Sequence, residues 1–230
     1  MHSQTENKEL MAEGWSSFTK HWGIGIGATL VQSLILGSMQ NIPYIGIILY
    51  ILLVGVFTFG LVTVNLAISR GENPQISQLF SGFSLFWKIL LTFLIQIIFI
   101  ILWALLLIIP GIIAAYSYAM TFYILADNPT IKPLEAIAQS EMMMNGNKAK
   151  LFFLSLRFML WIIIPIMLSG IVFAMIIPHA ASLVVKVLIV MLVIAMIAGI
   201  LIFSSYVGIT FAKFYDDLKK NQLAQEVPLT

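Results

Sequence analysis

Side chains able to do acid–base, nucleophilic or metal chemistry are few in these 230 residues, and their spacing brings little of it together. There is no cysteine, which removes disulfides, thiolate zinc sites, iron–sulfur clusters and a thiol nucleophile. The three histidines, His2, His21 and His179, fall far apart, and no His-Glu-x-x-His pair marks a metalloprotease helix. No aspartate or glutamate interrupts a long apolar run, so intramembrane aspartyl chemistry and carboxylate-driven proton coupling lack their group. Serines are plentiful, but no histidine is spaced to activate one. The expectation is a non-enzymatic chain with no catalytic residue, no cofactor and no metal.

Two kinds of polar chemistry remain. Gln32, Gln96, Tyr116, Ser117, Tyr118, Ser204 and Ser205 lie inside apolar runs, near where a bilayer centre would fall. Polar groups at that depth bond to neighbouring helices or line a wet cavity. Gln32, Gln96, Tyr118 and Ser204 are therefore candidates for a mid-membrane polar path. The second kind sits at the ends of the runs. Lys148, Lys150, Arg157 and Met142 are candidates for contact with lipid headgroups or a partner. Arg157 has three open options: snorkelling to the interface, pairing with Glu141, or holding an anionic headgroup. The Met142–Met144 run is either an adaptable partner face or packing against lipid or the bundle.

The elements that must position these groups are membrane spans. The chain is 60% hydrophobic and 10% charged, with a mean hydropathy of +1.02. Soluble domains carry about 25% charged residues, so too little polar surface exists here to cover a water-soluble core. The stretch Leu85–Ala126 holds one charge, Lys88. It is too long for one crossing of about 20 residues and suits two. Pro110-Gly111, where a helix breaks and the chain reverses, is the expected tip of that helical hairpin. The reading is an all-α polytopic membrane protein of six transmembrane helices in three hairpins, with amphipathic surface helices. The spans are Trp22–Met39, Ile42–Ile68, Phe86–Ile109, Gly111–Leu125, Leu151–Ile177 and Leu183–Phe211, with a kink at Pro165. In domain terms, residues 1–21 are an amphipathic N-terminal segment and residues 22–212 the membrane domain. Polar loops cover 69–87 and 127–150, and 213–230 is a tail expected to fray.

Each polar loop is expected to hold a surface helix. Ile76, Leu79, Phe80 and Phe83 recur at helical spacing in the first. Leu134, Ile137, Ala138 and Met142 share a face in the second, after Pro133 at a helix start. Six spans place Lys8, Lys20, Arg70, Lys88, Lys132, Lys148, Lys150, Arg157, Lys213, Lys219 and Lys220 on one side, and Lys186 alone on the other. Cationic loops stay cytoplasmic, so both termini are expected inside, in the cytoplasmic membrane. The first 21 residues carry three glutamates and lack the basic-then-apolar order of a signal peptide. The net charge of +2 gives no reason to expect nucleic acid. A glycine followed by a basic residue recurs at Gly14/Lys20, Gly82/Lys88 and Gly146/Lys148, which suggests three parallel units.

The segments RGENPQISQLFSGF, LLLIIPGIIAAYSYAMTFYILADNP, LEAIAQSEMMMNGNKAKLFFL and FAKFYDDL carry a resemblance over residues 10–218. They resemble a bacterial multipass family of unknown function, numbered nine-seven-five among such domains. The pattern is also similar to an enteric family of inner-membrane proteins and to the membrane domain attached to some glycerophosphoryl diester phosphodiesterases. No phosphodiesterase domain is present, so the resemblance implies a fold and no activity. Where the family pattern has a short polar cap before the second surface helix, this chain has Lys132-Pro133. The expectation is an interaction or regulatory module touching membrane lipids, or a membrane or cytoplasmic protein partner, at the cytoplasmic face. The alternative is a small-solute or lipid transporter. Oligomeric state is not legible.

Overall fold

The computed structural model describes residue 3, residues 5–176 and residues 183–226. The expected external turn at Pro178–Ser182, together with His2 and His179, lies outside the described residues. Those residues form α1 (Asn7–Lys20), α2 (Trp22–Met39), α3 (Gly46–Arg70), a 3-10 helix η1 (Ile76–Leu85), α4 (Phe86–Leu106) and α5 (Ile108–Ser117). They continue with α6 (Thr121–Asp127), α7 (Pro133–Met144), α8 (Lys148–Ile176) and α9 (Leu183–Glu226). Six segments are long and apolar enough to cross a membrane: Trp22–Met39, Gly46–Arg70, Ile76–Leu106, Ile108–Asp127, Lys148–Phe173 and Leu183–Ala224. The chain is an all-α multipass membrane protein.

The bundle is built around α3, which touches α1, α2, η1, α4, α6 and α9. Its centrality follows from small residues that let other backbones approach. A Cβ on Gly60 would lie 1.9 Å from the Leu79 carbonyl oxygen, and one on Gly82 would lie 2.5 Å from that of Val56. These two glycines seat η1 directly on α3. Lower on the same helix, Asn65 fills the space left by Gly208 of α9, whose Cβ would lie 2.3 Å from Asn65 Nδ2. Gly14 of α1 meets Thr210 of α9 in the same way, at 2.3 Å from Oγ1. Thr29 of α2 and Ser205 of α9 share a buried 2.9 Å hydrogen bond.

Several boundaries differ from those the sequence suggests, each for a local reason. The chain turns at Leu107, which is fully extended, and not at Pro110-Gly111. Pro110 sits in the first turn of α5, where its missing N–H costs nothing. Gly111 packs on Ala104, with only 2.7 Å available between its Cβ position and that of Ala104. α3 starts at Gly46 and not at Ile42, because residues 40–45 are spent on a turn with Tyr44 at φ 64°. Residues 76–85 form a 3-10 helix and not an α-helix. Ile76, Leu79, Gly82 and Leu85 recur every third residue, the period at which a 3-10 helix aligns its side chains. Leu79 and Gly82 are buried against α3.

The fourth apolar segment is also discontinuous, with a turn at Tyr118–Met120 between α5 and α6. A break at membrane depth needs substitute partners for its backbone. Ser140 of α7 supplies them: its hydroxyl donates to the Ser117 carbonyl (2.8 Å) and accepts from the Met120 N–H (3.1 Å). Gln96 Nε2 donates to the Tyr118 carbonyl at 3.2 Å. Consequently α7 buries Ala136, Ile137, Ser140, Met143 and Met144, while the expected face residues Leu134, Ala138 and Met142 point outward. The tail does not fray at residue 213: α9 runs to Glu226 and buries Phe214, Tyr215 and Leu218. α8 carries Pro165 inside it. The three glycines of the suggested repeat do unlike work, since Gly14 and Gly82 are packing positions and Gly146 takes φ 80° in a turn.

Gly60→Ala forces a methyl into the Leu79 carbonyl and should cost about 2 kcal/mol. Gly170→Ala meets open space and should be neutral or gain up to about 1 kcal/mol from helix propensity. Thermal unfolding of the two variants in one detergent checks the contrast. Equal melting temperatures would contradict the close η1–α3 approach.

Candidate functional site

The densest polar assembly lies at the end of the bundle that carries the polar loops. Its centre is Arg70, the last residue of α3. Gly71 at φ 69° ends that helix in a Schellman motif, with Glu72 N–H bonded to the Ala67 carbonyl at 2.9 Å and Gly71 N–H to that of Ile68 at 3.2 Å. The Arg70 guanidinium grips Asp127 of α6 in bidentate fashion, at 2.8 and 3.0 Å. It also donates to Asp216 of α9 through Nε (3.1 Å) and Nη2 (2.7 Å). Side-chain exposures are 27% for Arg70, 13% for Asp127 and 18% for Asp216.

The carboxylates are further satisfied. Asp127 accepts from the Tyr215 hydroxyl at 3.0 Å and from the Lys219 ammonium. Asp216 accepts from the Ser69 hydroxyl at 2.9 Å. Two cations face two anions, so the knot is neutral and its hydrogen-bonding capacity is largely used. Planar Arg–carboxylate pairs of this kind fix geometry more firmly than point-charge pairs. The knot joins three helices that are remote in sequence. Nothing in it resembles a nucleophile with its base.

Beside the knot lies a cavity of about 450 Å3, half open to solvent. Its walls include Thr5, Glu13, Lys213, Asp217, Lys220 and Leu223. Lys213 and Lys220 lie two turns apart on α9, and neither makes an ion pair among the described residues. On the far side of Asp217, Lys150 is held by the N-terminal segment: its ammonium donates to the carbonyls of Ser3 (3.0 Å) and Thr5 and to the Ser3 hydroxyl.

The residues singled out from sequence fall in separate places. Lys150 is engaged as described, Lys148 is half-buried, and Arg157 and Met142 are exposed. Arg157 makes no ion pair with Glu141 among the described residues. Gln96 and Tyr118 meet at the α5–α6 break. Gln32 lies on α2, and Ser204 faces outward while its neighbour Ser205 takes the inward bond to Thr29. Oxygen atoms of Gln32, Asn65 and Gln96 are buried without a hydrogen-bond partner among the described residues. A second cavity, of about 490 Å3, lies between α8 and α9 and is almost wholly apolar, with Trp161, Pro165, Gly199 and Phe203 in its walls. No group of three or more His, Asp or Glu residues able to hold a metal occurs among the described residues.

Sequence reasoning missed Arg70, Asp127, Asp216 and Lys219 as a unit. Asp127 was visible only as part of a turn, and Arg70 only as a marker of sidedness. Residues 97–222, more than half of the chain, match the family described as "Protein of unknown function (DUF975)". No curated protein and no solved structure gives a match.

Arg70→Ala leaves two carboxylates facing each other, and should cost about 2–3 kcal/mol, moderated by the partial exposure of the group. That corresponds to a melting temperature lower by roughly 5–10 °C. Arg70→Lys keeps a charge without the fork and should fall between. A double-mutant cycle of Arg70→Ala with Asp127→Asn should return a coupling of at least about 1 kcal/mol. Additive effects would mean the pair contributes nothing of its own.

Proposed function

The chain belongs to the DUF975 family of proteins of unknown function, and from that premise we propose a non-enzymatic protein of the cytoplasmic membrane that engages lipid headgroups or a partner at its polar end. The observation that carries this reading is the charged cavity beside the Arg70 knot. Lys213 and Lys220 offer cationic groups to an anionic headgroup or an acidic segment, and Leu223 offers an apolar edge. The sidedness argument supports placing that end in the cytoplasm: eleven of the twelve Lys and Arg residues gather at it in the six-span threading, and only Lys186 lies opposite. The exposed apolar surfaces of α8 and α9 are what lipid tails would cover. Between Leu183 and Ile202 no residue of α9 is buried.

Native mass spectrometry of the protein released from nanodiscs of phosphatidylglycerol and phosphatidylcholine tests the lipid arm. The wild type should retain phosphatidylglycerol, and Lys213→Ala with Lys220→Ala should retain at least fivefold less. In-membrane crosslinking tests the partner arm. Retention of neither anionic lipid nor a crosslinked protein would overturn the reading.

A second reading, transport, draws on the discontinuous α5–α6 segment and on the unpartnered oxygens of Gln32, Asn65 and Gln96. Broken helices whose backbone lines a cavity are the usual substrate sites of transporters. Here the break is filled by Ser140 and Gln96. Because the chain has no cysteine, single cysteines at Gln32, Gln96 and Ser117, with Gln139 as a surface control, report water entry. Only the Gln139 position should react with a polar thiol reagent. Reaction at the mid-depth positions would put transport first.

A further inference from the structure

The hairpin of α8 and α9 is clasped toward its polar end and open below. In the clasp, Phe158 of α8 packs edge-on against Phe203 and Tyr206 of α9, with ring centroids 5.8 and 5.3 Å apart. Trp15 of α1 packs on Tyr206 at 5.4 Å. A cavity of about 440 Å3 lies beside the clasp, and the cavity of about 490 Å3 described above lies beneath it. Trp161, Gly199 and Phe203 line both, so the two make one apolar groove. A Cβ on Gly199 would meet nothing within 4 Å. The groove begins one turn from an unpaired cation. Arg157 precedes Trp161 by one helical turn and lies on the same face of α8. It is exposed and makes neither an ion pair nor a hydrogen bond among the described residues. Arg157 stands about 28 Å of helix before the end of α8 at Ile176. That length matches a hydrocarbon core of roughly 30 Å, which puts Arg157 at headgroup level and the groove at tail level.

We propose that this groove binds an anionic phospholipid, with one acyl chain between α8 and α9 and the phosphate on Arg157. Shape selects the chain. The lower cavity is drawn out between Trp161 and Val172, about 17 Å of helix, which gives a cross-section of ~30 Å2. An α-helix 10 Å across needs ~80 Å2, so the groove is too narrow for a helix of a second copy and admits a single extended chain. Left empty, it would forfeit dispersion contacts along both helices. Charge selects the headgroup. The guanidinium fork takes a phosphate in bidentate fashion, and an anionic headgroup brings no cation of its own against Arg157. Trp15 and Trp161 frame the entrance, where amphipathic rings favour the membrane interface.

This site is separate from the charged cavity beside the Arg70 knot. Its walls are exposed, so its lipid exchanges with the bilayer, and capture within the membrane reads it. The full-length protein in nanodiscs is irradiated with phosphatidylglycerol or phosphatidylcholine carrying a diazirine in the acyl chain, and labelled residues are mapped by mass spectrometry. Phosphatidylglycerol should label the walls, Trp161 to Val172 and Leu192 to Phe203, at least threefold more than Ile98 and Ile101, exposed residues of α4. Gly199→Leu sends a side chain into open space. It should lower labelling of the walls at least threefold, with α4 labelling and the melting temperature unchanged. Arg157→Gln should lower phosphatidylglycerol labelling of the walls at least threefold and leave phosphatidylcholine labelling as it was. Lys213→Ala with Lys220→Ala should leave the walls labelled as in wild type, so the two lipid sites fail or stand separately. Equal labelling of the walls and α4, or no effect of Arg157→Gln, would overturn the site. A disulfide-linked dimer formed at Gly199→Cys in this otherwise cysteine-free chain would overturn it too, by putting a second copy in the groove.

Discussion

The Arg70 guanidinium stands between Asp127 and Asp216, and the polar end of the bundle depends on it. Asp127 ends α6, where the helix dipole disfavours an anion. Asp216 lies within one turn of Asp217 and Lys219 on α9. Brought together without a cation, the two carboxylates would drive α6 and α9 apart. Arg70 converts that repulsion into a three-helix junction, and it sits favourably at the negative end of α3. Because Tyr215, Lys219 and Ser69 take up the remaining acceptor sites, the knot is self-contained. Lys213, Lys220 and Glu13, which stand outside the knot, share the wall of the cavity with Arg70, Asp216, Asp217 and Lys219.

Within the apolar part of the bundle, the governing constraint is different. Lipid offers no hydrophobic force between helices and no partner for a free N–H or carbonyl. Association there rests on close backbone approach, and glycines supply it: Gly60 and Gly82 between α3 and η1, Gly208 against Asn65, Gly14 against Thr210. Where the α5–α6 segment breaks, the freed backbone groups are met by Ser140 and Gln96. That requirement draws α7 inward, and the helix turns a different face to the bundle from the one its apolar pattern suggests.

The apolar runs made the spans legible, because length and hydropathy alone decide whether a segment can cross. Details set by tertiary contact were less so. A three-residue recurrence at Ile76, Leu79, Gly82 and Leu85 was present in the sequence, but it overlaps an α-helical pattern through Phe80 and Phe83, and only the approach of Gly60 decides between them. Phe211, Phe214, Tyr215 and Leu218 carried a signal that α9 continues past residue 213, masked by the lysines and aspartates around them. The knot itself was hidden by distance: Arg70 is separated by 57 residues from Asp127 and by 146 from Asp216. Charges at span ends serve equally as sidedness markers and as ion-pair partners, and sequence gives no means of telling which.

The two ends of the cavity's neighbourhood are held by bonds of unequal kind. On one side, Arg70 binds its aspartates through a rigid fork with both partners charged. On the other, Asp217 and Lys150 are bridged by the hydroxyls and carbonyls of Ser3 and Thr5. Breaking the Arg70 side would strand charges in a partly buried place. The cavity thus has one wall fixed by charge pairing and another built of neutral donors and acceptors, and Lys213 and Lys220 reach it without an ion pair among the described residues.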